Sequence, residues 1–415
     1  MTSLCLAERI KKKMVVTISI RNFLRAQKLN KVKGALSIAS RSFSEIRYND
    51  LKIHQTTTPR EKPSADSKLV FGKQMADHML VAEWTIDNGW DIPSIVPYGP
   101  LAIPPSASVL HYGIEVFEGM KAYKCTDGSI QLFRPEENMK RLFASAERLS
   151  LPTFDKEEVL KCIAELVRVD QDWIPDCDSS SLYIRPTIIS TEVLFLSPPD
   201  SAMLFVITGP VGSYYDTGSF QPISLLADPS FVRAWPGGIG DCKAGGNYGP
   251  TIYAQKLAQA RGCSQCLWLY KDQVTEVGTM NFFMFWVNEQ GEQELVTPPL
   301  NGLILPGITR KSLLDLAREW DEFKVSERDF TLQEVAKAAS EGRVKEIFGA
   351  GTAAVVSPVD KIHYLDDVIE IENNGFPIAQ RFFDELTSIQ YGRTPHPWNY
   401  LVDSQQLRQK QPNLQ

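Results

Sequence analysis

Long apolar runs, cysteine pairs and repeats are scarce in this sequence of 415 residues. No run reaches the roughly 18 apolar residues of a membrane-spanning helix, so we expect no membrane span. Seven cysteines are too few for a disulfide scaffold in so long a chain, which indicates a reducing compartment. No two Cys or His pairs have zinc-site spacing, so we expect no metal. The sequence has one Cys-x-x-Cys pair, Cys263 and Cys266, and we expect it to serve packing rather than redox chemistry.

Basic residues are also scarce once the first 44 positions are passed. Residues 1–44 carry ten Lys or Arg and one acid, Glu8, which leaves 34 basic and 49 acidic residues and a formal balance of −15 for the remainder. An acidic body argues against nucleic acid as the main partner. The basic, serine-rich leader is typical of mitochondrial presequences, and a disordered basic tail is the alternative. We expect import into the mitochondrial matrix, with cleavage near Arg41 to Ser44.

The remaining chain divides by composition and pattern. Strand and helix patterns are mixed in both halves without regular alternation, so we expect an α+β fold. The predicted divisions are a transit peptide at 1–44, a polar leader at 45–68, a small domain at 69–209, an interdomain loop at 210–222, a large domain at 223–402 and a flexible tail at 403–415.

One predicted helix carries an arginine whose role the pattern leaves open. Pro135 opens this helix, and Glu136 and Glu137 are favourable in its first turn. Arg141 lies off its apolar stripe, so the pattern alone favours a solvated residue over a ligand. The stripe consists of Met139, Leu142, Phe143, Ala146 and Leu149.

A loop at 237–249 places one lysine, Lys243, among six glycines. Glycines allow unusual backbone conformations and close approach of a ligand. A desolvated lysine can attack an aldehyde cofactor as a neutral amine and form a Schiff base. The loop could instead grip a phosphate, although it lacks the Gly-Lys-Ser/Thr order of a P-loop, or it could be a plain surface turn.

Other segments supply the remaining groups that pyridoxal phosphate requires: an acid for the ring nitrogen, donors for the phosphate and a site for the substrate carboxylate. Tyr248 follows the lysine by five residues, and Glu276 is an acid within an apolar stretch. Residues 307–309 open a helix, whose free N–H groups favour a phosphate. Residues 351–353 form a small-residue turn that could present N–H groups to a carboxylate. Each segment also has an ordinary structural explanation, so only their combination favours the cofactor.

Seven motifs give the chain a specific resemblance from about Phe71 to Gly392. It resembles the branched-chain amino acid aminotransferases, which are pyridoxal phosphate enzymes of fold type IV. The resemblance implies a smaller N-terminal α/β domain, a larger C-terminal domain with a barrel-like β core, and a homodimer. The motifs are HYGIEVFEGMKAY, FRPEENMKRL, SLYIRP, GDCKAGGNYGP, TEVGTMN, LPGITR and GAGTAAVVSPV.

The resemblance also implies roles for individual residues. Lys243 would form the Schiff base and move the proton, Glu276 would face the pyridine nitrogen, and Tyr248 would contact the phenolic oxygen. This assignment overrules the solvated interpretation of Arg141. The phosphate side would be formed by Arg141, Ile308, Thr309 and Thr352, with Arg233 as a second basic residue near it.

The substrate pocket is likewise an implication of the resemblance. An aromatic wall would bury the side chain of leucine, isoleucine or valine, a gain of roughly 1.5–3 kcal/mol. Arg185 would bind the second carboxylate of glutamate or 2-oxoglutarate. The implied reaction is ping-pong transamination from a branched-chain amino acid to 2-oxoglutarate. The aromatic wall comprises Phe71, Tyr112, Phe117, Tyr183 and Tyr214, and the α-carboxylate would be held by Thr279, Thr352 and Ala353.

Two rival interpretations remain. A D-amino acid aminotransferase or an aminodeoxychorismate lyase would share the fold, but the aromatic wall and Arg185 argue against both. A phosphate- or nucleotide-binding protein without pyridoxal phosphate chemistry would rest on the glycine loop alone, and it would show no visible chromophore.

Overall fold

The computed structural model describes residues 44–64, 67–176, 180–212, 220–372 and 375–402. Nearly all of the predicted transit peptide, most of the predicted interdomain loop with Tyr214, and the predicted tail lie outside these ranges. Within them, no helix combines the length and apolar character that a membrane crossing requires.

The first half of the described chain builds one sheet. Its strand order is β1-β4-β2-β9-β8-β6-β7, with β3 on β2 and β5 on β8. The long strands β8 and β9 pair antiparallel over ten positions and form its centre. The strands are β1 Lys52–Ile53, β2 His78–Thr85, β3 Gly89–Trp90, β4 Ser94–Pro97, β5 Glu115–Phe117, β6 Met120–Lys124, β7 Ile130–Phe133, β8 Ser181–Ser190 and β9 Ser201–Val211.

Three helices accompany this sheet: α1 Ser108–Tyr112, α2 Pro135–Arg148 and α3 Lys156–Val169. The helix predicted from Pro135 is confirmed, and Met139, Leu142 and Ala146 of its apolar stripe are buried in the first core. The Asp155 side chain caps α3 by accepting from the N–H groups of its first turn.

The second half builds a closed barrel, which confirms the predicted α+β class. Strands β12-β11-β10-β17-β16-β13 pair in that order, and β12 also pairs with β13, so six strands close on themselves. β14 and β15 extend the sheet from β13, and β18 pairs with β17. The strands are β10 Ile223–Ala227, β11 Gln265–Tyr270, β12 Gln273–Val277, β13 Met280–Val287, β14 Gln293–Thr297, β15 Lys324–Glu327, β16 Val344–Gly351, β17 Val355–Tyr364 and β18 Asp367–Glu370.

Four further helices belong to this half: α4 Thr251–Ala260, α5 Ile308–Trp320, α6 Leu332–Ser340 and α7 Pro377–Gln390. Two apolar clusters hold three of them against the barrel strands. Val335 and Ala338 of α6 pack with Phe282 and Trp286, whereas Leu313 of α5 and Phe382 of α7 belong to a second cluster with Phe348. The barrel strands are therefore covered on two sides.

The end of the described chain returns to the first sheet. A last strand, β19 Asn399–Leu401, pairs antiparallel with β7. Gln131 on β7 reinforces this return, because its side chain donates to the carbonyls of Ile389 and Gln390, both at 2.8 Å. The strand β19 lies within the predicted large domain at 223–402, yet its pairing partner belongs to the first sheet; the division into domains stays a prediction. The described residues from Glu45 onward form one compact unit.

Candidate active site

A cavity of about 360 Å³ contains most of the predicted site residues. It lies where the first sheet, the lysine loop and the barrel meet. A larger cavity of about 920 Å³ lies between α2 and α5 and shares Arg141 and Ile308 with it, but neither Lys243 nor Glu276 lines that space. The smaller cavity is therefore the candidate site. Of the predicted residues it is lined by Phe71, Phe117, Arg141, Tyr183, Arg185, Lys243, Tyr248, Glu276, Thr279, Ile308, Thr309, Thr352 and Ala353.

The lysine loop is anchored at several points, unlike a plain surface turn. The Lys243 N–H donates to Ser145 on α2 at 3.0 Å, and the Lys243 carbonyl accepts from the N–H of Phe117 at 3.0 Å. The side chain of Asn247 closes the loop by donating to two of its carbonyls. The Lys243 Nζ donates to the Tyr248 hydroxyl at 3.0 Å and lies 4.8 Å from the centre of the Phe117 ring. These contacts aim the amine into the cavity.

Glu276, on β12, is a fully buried acid in the wall of the same cavity. Its Oε2 lies 2.9 Å from Arg233 Nε, and its Oε1 accepts from the Leu305 N–H at 2.9 Å and from the Asn281 side chain at 3.2 Å. Burial raises the pKa of the Glu276 carboxyl, while the charge of Arg233 and the Leu305 N–H oppose that shift. The ion pair and the two donors hold the Glu276 carboxyl in one orientation at the cavity wall.

Arg233 lies behind Glu276, outside the cavity lining. We predicted this residue near a phosphate, but it does not line the cavity and is almost fully buried. Its Nε is paired with Glu276, and its two terminal nitrogens donate to the carbonyls of Gly240 and Leu303 at 3.2–3.4 Å. Arg233 therefore lies behind Glu276 and orients it from outside the cavity lining.

Arg141 is buried, so the prediction from the local pattern that it is solvated is wrong. Its Nε and Nη2 lie 2.6 Å and 2.9 Å from the two oxygens of Glu118, and its Nη1 donates to the Pro306 carbonyl at 3.0 Å. Glu118 is fully buried and also accepts from Asn138 at 2.8 Å. Burial raises the pKa of Glu118, but the charge and hydrogen bonds of Arg141 outweigh burial and hold that pKa below its usual value.

Glu118 is thus a site residue that sequence reasoning did not single out. The signal was available, because an acid follows Val116 and Phe117 and precedes a buried strand. A charge in such a position is rarely buried without a partner. The partner, Arg141, lies 23 positions away on α2.

The start of α5 lies beside Arg141. The helix begins at Ile308, and Ile308 and Thr309 line the cavity, so the free N–H groups of its first turn are close to the guanidinium. Gly307 precedes them, and a Cβ at this position would come within 1.9 Å of the Asn281 side-chain oxygen. The glycine therefore allows the helix end to approach the barrel closely. Helix end and arginine together can bind a phosphate.

The predicted turn between two strands is also present. β16 ends at Gly351 and β17 begins at Val355, and Thr352 and Ala353 line the cavity between them. Lys121, which the sequence did not single out, donates from Nζ to the Ala353 carbonyl at 3.0 Å. This lysine is fully buried, and burial lowers its pKa to about 8. The first sheet thereby places a buried cation directly behind the turn.

The first sheet supplies the aromatic side of the cavity. Phe71 and Tyr183 meet edge to face with ring centres 4.7 Å apart. Arg185 Nη2 donates to the Tyr183 hydroxyl at 2.9 Å, and its guanidinium carbon lies 4.7 Å from the centre of the Phe117 ring. The Nε of Arg185 is buried and has no hydrogen-bond partner within the described ranges. The guanidinium can therefore accept an additional anionic ligand.

Two members of the predicted aromatic wall are not found there. Tyr112 ends the short helix α1, is 46% exposed and does not line the cavity. A residue on this outward helix end cannot reach the cavity of its own chain. Tyr214 lies outside the described residues.

Known proteins with similar sequences are aminotransferases. The family model of amino-transferase class IV matches residues 115–362. The cytosolic branched-chain-amino-acid aminotransferase of Mus musculus is 54% identical over 358 residues, which cover 85% of this chain and 92% of that protein. The mitochondrial branched-chain-amino-acid aminotransferase of Mus musculus is 51% identical over 383 residues, which cover 91% of this chain and 98% of that protein.

A solved structure gives the same answer at the level of the fold. The branched-chain amino acid aminotransferase of Escherichia coli has a TM-score of 0.63 and 26% sequence identity, and the match covers 79% of this chain and 99% of that chain. By sequence, by fold and by the family model, this chain belongs to the branched-chain-amino-acid aminotransferases, pyridoxal phosphate enzymes of the class IV aminotransferase family.

Proposed function

We propose that this cavity transfers the amino group of leucine, isoleucine or valine to 2-oxoglutarate, with Lys243 as the catalytic residue. The products are branched-chain 2-oxo acids and glutamate. The observation that carries the proposal is the joint presence of an amine, a phenol, a buried carboxylate and an arginine beside a helix start in one cavity. These four groups match the requirements of pyridoxal phosphate, so the residues fit the cofactor.

Each group of the cavity has a partner on the cofactor. The Lys243 amine would bind the aldehyde, and the Tyr248 hydroxyl would donate to the phenolic oxygen. Glu276, held by Arg233, would keep the ring nitrogen protonated. Arg141 and the first N–H groups of α5 would hold the phosphate. When bound, pyridoxal phosphate supplies a carbonyl that accepts the amino group and a ring that withdraws electrons from the substrate Cα.

Lys243 would also move the proton, once the substrate amine has displaced it from the aldehyde. Its freed Nζ, within hydrogen-bond distance of the Tyr248 hydroxyl, would take the proton from the substrate Cα. The same nitrogen would hold that proton and deliver it again, so Lys243 would serve as both base and acid. The loop contacts of Lys243 to Ser145 and Phe117 keep that nitrogen on one face of the site, which makes the transfer stereospecific.

The substrate would be held at both ends. Thr279 and the turn at Thr352–Ala353 would bind the α-carboxylate, with the Lys121 charge behind the turn. Phe71, Phe117 and Tyr183 would bury an aliphatic side chain. Arg185 would bind the second carboxylate of glutamate or 2-oxoglutarate in the same place. One pocket can then accept both partners of a ping-pong reaction.

Chemical trapping and a substrate panel test this function. Reduction of the purified yellow protein with borohydride, followed by peptide mass spectrometry, should place the cofactor on Lys243. Incubation with L-leucine should shift the visible absorbance before reduction, whereas D-alanine should not. An adduct on another lysine, or a colourless protein, would overturn the assignment.

We further propose a homodimer located in the mitochondrial matrix. Phe71, which lines the cavity, and Leu110 and Tyr112 of α1 are large side chains that remain 43–60% exposed, as expected for a surface that a second copy covers. Light scattering at micromolar concentration should give twice the chain mass. The basic leader supports import, and a fluorescent fusion lacking residues 1–44 should stay outside mitochondria while the full chain enters them.

A further inference from the structure

A half-buried carboxylate, Glu115, lies on the substrate side of the first sheet and has no role in the site described so far. On β5 it lies opposite Ile189 of β8, and Phe117 lies opposite Thr187. Directly opposed residues share a face, and so do alternate residues along a strand. Glu115 and Phe117 therefore share a face with Arg185.

The lysine loop leaves room for this carboxylate. A Cβ at Gly245, two residues after Lys243, would come within 1.7 Å of the Glu115 Oε1. Any other residue at position 245 would displace the carboxylate. The cofactor-binding loop thus packs directly against a negative charge.

The charge of Glu115 is coupled to that of Arg185. In the described part of the chain no hydrogen-bond donor reaches the Glu115 carboxylate, and burial raises its pKa while the Arg185 charge lowers it. Arg185 is likewise in no ion pair with a described residue, and its hydrogen bond goes to the neutral Tyr183 hydroxyl. Within the described residues the two charges therefore share the sheet face that carries Phe117 and form no ion pair, and the Arg185 guanidinium carbon lies 4.7 Å from the centre of the Phe117 ring.

This arrangement bears on the two substrates differently, and the following step rests on the proposed function. We propose that Glu115 is a specificity-determining residue, whose negative charge opposes binding of a second substrate carboxylate at Arg185 and leaves binding of an aliphatic side chain unaffected. With leucine bound, Glu115 partly balances the guanidinium beside the aliphatic chain. With glutamate or 2-oxoglutarate bound, the second substrate carboxylate and the Glu115 carboxylate repel each other, while both are attracted to the single Arg185 guanidinium.

The binding of two carboxylic acids to the holoenzyme distinguishes the effect of Glu115 on a second carboxylate from its effect on an aliphatic side chain. Glutarate and 4-methylvalerate are the carbon skeletons of glutamate and leucine without the amino group, so they bind without reacting. Calorimetry gives their dissociation constants. Glu115→Gln should tighten glutarate about 5–10-fold, the size of a modest coupling between sites, and change 4-methylvalerate less than about twofold. The Michaelis constant for 2-oxoglutarate should fall in parallel, with kcat of the leucine half-reaction unchanged.

Glu83→Gln is the matched control, because Glu83 is an exposed acid on β2 of the same sheet. It should alter neither dissociation constant. If Glu115→Gln does not fold, Glu115→Asp draws the charge back by one methylene and should still tighten glutarate by about twofold. An unchanged ratio of the two dissociation constants, or an equal shift of both, overturns the inference. Failure of the wild-type protein to exchange amino groups between leucine and 2-oxoglutarate would instead overturn the proposed function.

Discussion

The buried pair of Glu118 and Arg141 allows a quantitative test of how the site is supported. Glu118→Gln keeps the shape of the side chain and removes its charge, so Arg141 is left as a buried guanidinium without a counter-ion. Removal of one partner of a buried ion pair typically destabilises a protein by about 3–5 kcal/mol. The side chains of Arg141 and Glu118 are almost fully buried, with exposures of 8% and 0%, so little solvent screening reduces this value.

The cofactor changes this expectation in a defined direction. Its phosphate would lie at Arg141 and would replace part of the missing negative charge. Glu118→Gln should therefore lower the free energy of unfolding by about 3 kcal/mol in the apoprotein and by clearly less in the holoprotein. Urea unfolding of both forms measures the two losses. Glu137→Gln, which removes a charge from the pair with Lys140 and from the first turn of α2, should cost less than about 1 kcal/mol in either form.

The pH dependence of the unfolding free energy provides an independent test of the pair of Glu118 and Arg141. The pKa of Glu118 is lowered in the folded protein, so its stabilisation is present above the pKa of about 4.3 that glutamate has in an unfolded chain, and it disappears as the pH falls through the lower folded value. The stability difference between wild type and Glu118→Gln should shrink below about pH 4. Equal losses in apo- and holoprotein, or a difference that persists in acid, would refute the reasoning.

Three further perturbations have directional outcomes. Arg185→Leu should raise the Michaelis constant for 2-oxoglutarate about 10–100-fold, because charge-assisted hydrogen bonds contribute about 1.5–3 kcal/mol. The leucine half-reaction should keep its rate. Equal losses for both substrates would reject the role of Arg185. Gly307→Ala places a Cβ 1.9 Å from the Asn281 side chain and should weaken cofactor retention measured by dialysis, whereas Gly249→Ala, with nothing within 4 Å, should not. Lys121→Met removes a buried amine whose pKa of about 8 lies below the value of about 10.4 for lysine in an unfolded chain. Between these values the folded wild type binds fewer protons than the unfolded chain, so its free energy of unfolding rises as the pH rises from about 8 to 10. The variant should lack this gain in urea titrations and should bind 4-methylvalerate more weakly, and an unchanged pH slope would contradict the burial of Lys121.

Local patterns predicted elements where the chain signals its own structure. The helix predicted from Pro135 has the expected first residue. Helix α6 was missed although its signal is local: Thr331 and Glu334 form a capping box at its start. The fold type came from the resemblance, since no pattern within one strand reveals that β12 pairs with β13 to close a barrel.

The residues of the site also fall into those that the sequence predicted and those that it did not. The resemblance named thirteen residues that the structure brings into one cavity, while the roles assigned to them stay predictions. Glu118 and Lys121 were overlooked because their meaning lies in partners that only the fold supplies. The Nζ of Lys121 meets a carbonyl 232 positions away. The role of Arg233 near the phosphate stays a prediction, and its ion pair with Glu276 was overlooked because the two residues lie far apart in the sequence.

The return of β19 to the first sheet has a consequence for how the halves stay joined. The backbone crosses from sheet to barrel between β9 and β10, and it crosses back when Asn399–Leu401 pairs with β7. A single break between Val211 and Ile223 would thus yield two fragments, the second of which carries an edge strand that belongs to the sheet of the first. The pairing of β19 with β7 would then be the one strand-to-strand contact that joins the two fragments through the sheet, among the described residues.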